Sequence, residues 1–338
     1  MSSATWRSTN PTGQPTMRLH RLLAVLPLVV AAVWLSACAA TPRAATPAPV
    51  TASPDGRLAL AAPMGHAHND YDHPVPLLTA LDAGMLSIEA DVFLRDGTLY
   101  VAHDEEDIQP DRTLQALYLD PLWQRFQERG GTQPGHPFGG AVRDSGVPVL
   151  LMVDLKDRGH DAWLALESLL AQYPGLARHV KHPADEHETQ HSEGMPPPTL
   201  TPGPVLAVVS GDRPIDAIAR ARSRYCGYDG RWPDDAGSAA KAHLMPMVSM
   251  SARTLLDLAE PTDDPEHTID TTLRALSQDA ATHGRLARIW ATPDDPNTWQ
   301  RLHNAGLQLI NTDTPGGLAE WLQTQAGPDA LDAQPFKR

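Results

Sequence analysis

Positive charge is in short supply. The chain of 338 residues carries 27 Lys and Arg against 41 Asp and Glu, a formal net charge of −14 at pH 7. Nucleic-acid backbones demand a basic footprint, so this balance argues against such a partner. A small anionic substrate stays open if a metal or a few local cations hold it. No Gly-rich phosphate loop follows the first strand-like run, which counts against an open, doubly wound nucleotide-binding sheet. No internal repeat is evident. The apolar run over 22–35 has fourteen residues, too few to span a bilayer comfortably.

Cysteine is also scarce, at two residues, Cys38 and Cys226. Met17, Arg18, His20 and Arg21 make a basic start to the apolar run, and Leu35-Ser36-Ala37-Cys38 closes it. That arrangement reads as an export signal, and its ending resembles the bacterial lipobox. The resemblance implies cleavage before Cys38 and a lipid on that cysteine. The protein is then expected to be exported and anchored to the cell envelope through the lipid, on the periplasmic side or at an outer membrane. With Cys38 lipidated, Cys226 is the only thiol left, and no intramolecular disulfide can form. Stability must come from packing. The expected organisation is a signal over 1–38, an Ala/Pro/Thr-rich tether over 39–57, one folded domain over 58–325 and a tail over 326–338.

Proline, at 32 residues, marks loops as well as the leader. One stretch over 182–204 holds several His, Glu and Pro without an apolar pattern and reads as an insertion loop. Elsewhere short apolar runs alternate with amphipathic stretches, the pattern of a parallel sheet with crossover helices. Eight candidate strands fall at 63–68, 86–92, 149–155, 205–210, 224–228, 244–249, 286–291 and 307–311. Helical patterns lie at 76–83, 162–172, 215–222, 271–282 and 297–305. Eight strands in roughly 260 residues fit an α/β fold of the closed (β/α)₈ TIM-barrel type.

The densest chemical signal lies between Gly65 and Asp104. Glu89 and Asp91 are two apart on an expected buried strand, so both side chains leave one face. Two carboxylates sharing a poorly solvated space either take up a proton or bind a cation. Asp154 and Lys156 share a face on the third strand, and three oxygen ligands suit Mg²⁺ or Ca²⁺. Taken alone, Glu89 and Asp91 could equally form a strand-end salt-bridge pair, with Asp154 and Lys156 neutralising each other. His66 ends the first strand and His103 follows a hairpin-like turn, which places both at the C-terminal rim, where barrel enzymes keep their chemistry. Two imidazoles across a phosphodiester can act as a pair, one taking a proton and the other giving one.

These motifs resemble a known family. Gly-His-x-x-Asn at Gly65, Ile-Glu-x-Asp-Val at Ile88, Val-x-His-Asp at Val101 and Asp-Leu-Lys at Asp154 look like the glycerophosphodiester phosphodiesterase and phosphatidylinositol phospholipase C-like superfamily. The His-x-His-Asn-Asp-Tyr version at His66 to Tyr71 is similar to the branch of the yeast altered-inheritance-of-mitochondria protein 6. Arg288-Ile289-Trp290-Ala291 and Asn311-Thr312-Asp313-Thr314-Pro315 look like that superfamily's last two strands. The resemblance implies one divalent ion on Glu89, Asp91 and Asp154, with His66 and His103 as acid and base. It further implies Lys156 as a phosphate contact, Trp290 as a pocket wall and Asn69 as a contact to substrate or to the groups around it. His68 competes with His66 for the first catalytic place, and the Gly-His-x-x-Asn context favours His66. His-Ala-His stands where the superfamily has His-Arg-Gly, so the head group stays open.

The expected activity is metal-dependent cleavage of a small glycerol-type or phospholipid-derived phosphodiester by a monomeric enzyme, ending in hydrolysis or in a cyclic phosphate. The competing readings are an envelope lipoprotein that binds a phosphorylated ligand without turnover, and a structural lipoprotein.

Overall fold

The computed structural model describes residues 50–53, 56–183 and 197–325. The leader, Cys38, most of the tether, the centre of the 182–204 segment and the tail lie outside the described residues. Eight parallel strands form the frame: β1 (Met64–Ala67), β2 (Ser87–Arg95), β3 (Val149–Leu155), β4 (Val205–Gly211), β5 (Cys226–Arg231), β6 (Met247–Ser251), β7 (Leu286–Trp290) and β8 (Leu309–Thr312). Each pairs in parallel with the next, and β8 pairs with β1, so the sheet closes into a barrel. Closure leaves these strands without a free edge.

Strand alternation sorts the apolar residues into two separate clusters. Ile88, Ala90, Leu151, Val153, Ala207, Val209, Val248, Ile289 and Ile310 point outward into the layer shared with the helices. Leu150, Met152, Leu206, Val208, Met247, Leu286 and Leu309 point inward and fill the barrel at the strand starts. A run such as Val149-Leu150-Leu151-Met152-Val153 is apolar throughout because both faces of a parallel strand are buried. Each fully buried side chain of this kind contributes about 1.5–3 kcal/mol. A hairpin of Val50–Ala52 against Leu58–Leu60 lies beneath, with Val50, Leu58 and Leu60 packed on the inner cluster. The segment read as the end of a tether is therefore part of the folded domain, because the barrel floor needs an apolar cover.

The helices α1 (Leu78–Asp82), α2 (Asp120–Glu128), α3 (Gly159–Leu170), α4 (Ile215–Arg220), α5 (Ala252–Ala259), α6 (Pro265–Thr282), α7 (Pro296–Asn304) and α8 (Pro315–Gln325) follow the strands, α5 and α6 both after β6, while β5 leads to β6 through a loop. Their starts follow local chemistry. The Asp264 carboxylate accepts from His267 N at 3.1 Å ahead of α6, and Asp295 accepts from Asn297 N at 2.8 Å ahead of α7. Proline follows each cap at the first helical position, where its missing N–H costs nothing. The expected insertion loop is more ordered at its end than its composition suggests. Thr199–Thr201 pairs with His179–Lys181, which in turn pairs with Ser223–Arg224.

β2 outlasts its partners. Its end forms an antiparallel hairpin with Thr98–Val101, turned by Asp96 and Gly97 at positive φ, and this delivers His103 to the C-terminal rim. At the end of β4, Gly211 has φ +69°, and a Cβ there would stand 2.5 Å from Asp154 Oδ1 and meet the Leu155 carbonyl. Gly211→Ala is expected to lower unfolding stability by about 1–3 kcal/mol, read as a lower midpoint in urea. An unchanged midpoint would mean the close approach to Asp154 is not real.

Candidate active site

The inward positions above the apolar floor carry charge. Glu89, Asp91 and Asp154 each offer one carboxylate oxygen, and these oxygens lie within 4.8 Å of one another. Asp91 and Asp154 are direct neighbours across β2 and β3. Glu89 and Asp91 are 5% and 1% exposed, so water does little to separate their charges. Two cations hold them. Arg288 Nη2 stands 3.1 Å from Glu89 Oε2, and Lys156 Nζ stands 2.7 Å from Asp91 Oδ2 and 3.5 Å from Asp154 Oδ1. Tyr71 donates its hydroxyl to Asp91 Oδ2 at 2.7 Å. Asp91 Oδ1 is buried without a hydrogen-bond partner.

The electrostatics follow from these neighbours. Burial pushes Glu89 up, but Arg288 and the hydrogen bond from His66 outweigh it and hold the carboxyl below its usual range. Asp91 goes the other way. Burial and the charge of Glu89 raise it to about 6, against the pull of Lys156 and Tyr71. Burial also raises Asp154. Lys156 is pulled down by burial, yet Asp154 and Asp91 more than offset this and keep its ammonium above the ordinary range. A cluster with an orphaned buried oxygen and a carboxylate on the edge of protonation fits a divalent cation of oxygen preference.

The two histidines of the first strand separate cleanly. His66 is 0% exposed. Its Nε2 bonds Glu89 Oε2 at 2.7 Å and its Nδ1 bonds Ser87 Oγ at 2.7 Å. Burial, then Arg288, drives its pKa down to about 3, so the ring is neutral, donating to Glu89 and accepting from Ser87. A proton shuttle at the rim needs a reachable ring nitrogen, and His66 has none. The expectation of His66 as the acid or base is corrected on this ground: it holds Glu89 from below. His68 instead reaches the rim, 23% exposed, with Nδ1 2.7 Å from Asp313 Oδ1. Its Nε2 meets no hydrogen-bond partner among the described residues. Asp294 fixes the turn that presents Asp313, accepting from Thr312 Oγ1 at 2.6 Å and from Asp313 N at 3.0 Å.

His103 sits on the same rim, half-exposed, with Nδ1 3.2 Å from Asp104 Oδ2. The neighbouring Ala102 N donates to the Asp91 carbonyl at 3.2 Å. His103, Tyr71, His73, Asp107 and Arg112 line a cavity of about 400 Å³, so Tyr71 joins this cavity to Asp91. Trp290 ends β7 with 36% of its surface exposed, on the same strand face as Arg288. Asn69 begins the rim loop in a left-handed conformation, φ 45°. Arg288, Tyr71 and Ser87 were not among the sequence candidates. Arg288 was legible as a charge two residues before Trp290 on an apolar strand, hence on its inner face; Tyr71 closed the His66–Tyr71 motif without being given a role, and nothing local marked Ser87.

The motifs can now be set beside known proteins. A family model described as the AIM6-like phosphodiesterase domain matches residues 59–229. The chain belongs to this family. Among curated relatives of this AIM6-like domain, the altered inheritance of mitochondria protein 6 homolog of Arthroderma benhamiae is 31% identical over 73% of this chain and 80% of its own length. The altered inheritance of mitochondria protein 6 of Eremothecium gossypii is 28% identical over 73% of this chain and 66% of its own length. Among solved structures, a glycerophosphodiester phosphodiesterase from Parabacteroides distasonis has a TM-score of 0.45 at 15% identity, covering 78% of this chain and 98% of that one.

The AIM6-like domain is a phosphodiesterase domain, and cleavage of a phosphodiester is its activity. The comparisons overturn the expected location. The relatives are yeast and fungal proteins named for the inheritance of mitochondria, and placement as a lipid-anchored bacterial envelope protein is withdrawn.

If Asp91 is a cation ligand, protons compete with the ion. Its charged form binds and its protonated form does not, so affinity is retained above about pH 6 and lost below it. Calorimetric titration with Mg²⁺ or Ca²⁺ is expected to show affinity falling by up to about tenfold per pH unit below that point. A flat profile would remove Asp91 from the ligand set.

Proposed function

We propose that this domain cleaves small glycerol-type or phospholipid-derived phosphodiesters around one Mg²⁺ or Ca²⁺ held by Glu89, Asp91 and Asp154, with His68 and His103 moving the protons. The observation that carries this reading is the convergence of three carboxylate oxygens within 4.8 Å, with Asp91 among them keeping a buried oxygen without a hydrogen-bond partner. The bound ion would stabilise the negative charge that builds on the phosphoryl oxygens.

The protein's own groups do the rest. Asp313 fixes the His68 ring and favours the tautomer whose Nε2 accepts a proton. One imidazole takes the proton of the attacking hydroxyl, and the other returns one to the departing alkoxide. The attacking hydroxyl belongs either to the substrate, giving a cyclic phosphate, or to water, giving a monoester. Lys156, whose Nζ now stands 2.7 Å from Asp91 Oδ2, would contact the phosphate where Asp91 serves as a cation ligand. Trp290 walls the pocket, and Asn69 contacts substrate from the rim loop. His66 keeps Glu89 ionised and aimed, so it acts through the metal ligand.

Two sets of variants separate these roles. His68→Ala and His103→Ala are each expected to lower kcat by about 10²–10⁴-fold on a panel of phosphodiesters, the usual worth of a positioned acid or base, with cation affinity unchanged. Glu89→Gln and chelator are expected to abolish activity, and His66→Ala to weaken cation binding about 10–100-fold. Full activity in chelator, or in Glu89→Gln, would end the metal reading. Full activity in His68→Ala would return the acid/base role to another group. Binding of the diesters without turnover in the intact chain would leave a ligand-binding domain in place of an enzyme.

A further inference from the structure

A second charged assembly faces the same mouth, on the strands that follow β3. Asp229 on β5 is 1% exposed, and both its oxygens are filled. Oδ1 accepts from Ser249 Oγ at 2.8 Å, and Oδ2 accepts from Ser210 Oγ at 3.3 Å and from Arg231 Nη1. A carboxylate so occupied is not free to hold a metal. It holds Arg231. The guanidinium also donates from Nη2 to Ser210 Oγ at 3.0 Å and from Nη1 to the Gly230 carbonyl at 3.4 Å, and its backbone N–H is tied to Asp235 Oδ2 at 2.7 Å.

Arg231 has donors to spare. A guanidinium carries five N–H groups, and Nε–H together with one Nη2–H meets no acceptor among the described residues. Its side chain is 28% exposed, so these donors are not sealed in the barrel. The register puts them in a useful place. Ser210, the hydroxyl that Arg231 grips, is the direct cross-strand partner of Asp154, while Asp91 is the partner of Asp154 on the other side. Arg231 therefore stands next to Asp154 on the flank opposite Lys156 and Asp91, and its charge is felt at the Asp154 carboxyl.

We propose that Arg231 is a phosphoryl-oxygen contact, a guanidinium fixed by Asp229 and Ser210 that clamps the substrate's anionic oxygen from the flank of Asp154 opposite Lys156. This rests on the phosphodiesterase reading of the site. Its chemistry is that of a preorganised fork: a side chain with few remaining rotamers loses little entropy when it binds an anion. The alternative is a purely structural pair, in which Arg231 only neutralises a buried Asp229.

Dimethyl phosphate separates the two, because it is a singly charged diester with no hydroxyl for attack, and its binding is measured by calorimetry on the full chain in saturating Mg²⁺. Arg231→Gln is expected to weaken this binding about 10–100-fold, the range for one charge-assisted hydrogen bond. Cation affinity is expected to hold or rise slightly, since a positive neighbour of Asp154 is gone. Arg231→Gln alone leaves Asp229 buried without its cation, so the double variant Asp229→Asn with Arg231→Gln removes both charges together. A clamp predicts that the double variant folds and still binds dimethyl phosphate weakly, while Arg231→Lys recovers part of the affinity. A structural pair predicts that the double variant binds like the wild type, and that result overturns the proposal. The metal reading fails separately: it falls if Glu89→Gln keeps its activity, whatever Arg231 does.

Discussion

Repulsion between acids crowded into the mouth of a narrow barrel governs the architecture around it. Glu89, Asp91 and Asp154 occupy inward positions where water cannot screen them well, and each is answered by a specific partner. Arg288 and neutral His66 serve Glu89; Lys156 and Tyr71 serve Asp91; Lys156 again serves Asp154. The answer is incomplete, since Asp91 keeps a buried oxygen without a partner and a carboxyl that burial and Glu89 push up to about 6. That residual tension is what a doubly charged ion would relieve, and it explains why so many other side chains are tied to the acids.

The scaffold supplies the stiffness this tension requires. The inner floor of Leu150, Leu206, Met247, Leu286 and Leu309 is packed separately from the layer between strands and helices. The charged girdle thus rests on an apolar plug. A hairpin at the start of the described domain covers the plug from outside. Displacing a carboxylate at the mouth would mean moving a strand whose two faces are both packed, which close-packed interiors resist.

The frame was largely legible in the sequence, and the reason is periodicity. All eight barrel strands were anticipated within a few residues, because buried parallel strands are dense in Val, Leu, Ile and Met and are set apart by amphipathic helices. The acids were legible too, since spacing by two on such a strand fixes a shared face. The roles of His66 and His68 were not. Both point the same way from one strand, and only the depth set by the register of β1 against β2 and β8 decides which is entombed and which reaches solvent. Ser87, Arg231 and Asp229 escaped for a similar reason. Their importance lies in contacts between strands and loops distant in sequence, where no local pattern announces them. The covered end of the presumed tether was missed because a short segment such as Val50–Ala52 resembles linker until its pairing with Leu58–Leu60 and the floor it covers are known.

The seam of the barrel joins the first strand to the last. His68 N donates to the Thr312 carbonyl at 3.0 Å, and the His68 ring leans on Asp313, so one half of this pair is made near the beginning of the domain and the other near its end. A ribosome-bound chain that has emerged only as far as β7 has the acids in hand but no Asp313 to orient the ring. If His68 moves a proton as proposed, competence waits until the final strand docks, and a copy that stops short of Asp313 has no carboxylate there to align the ring.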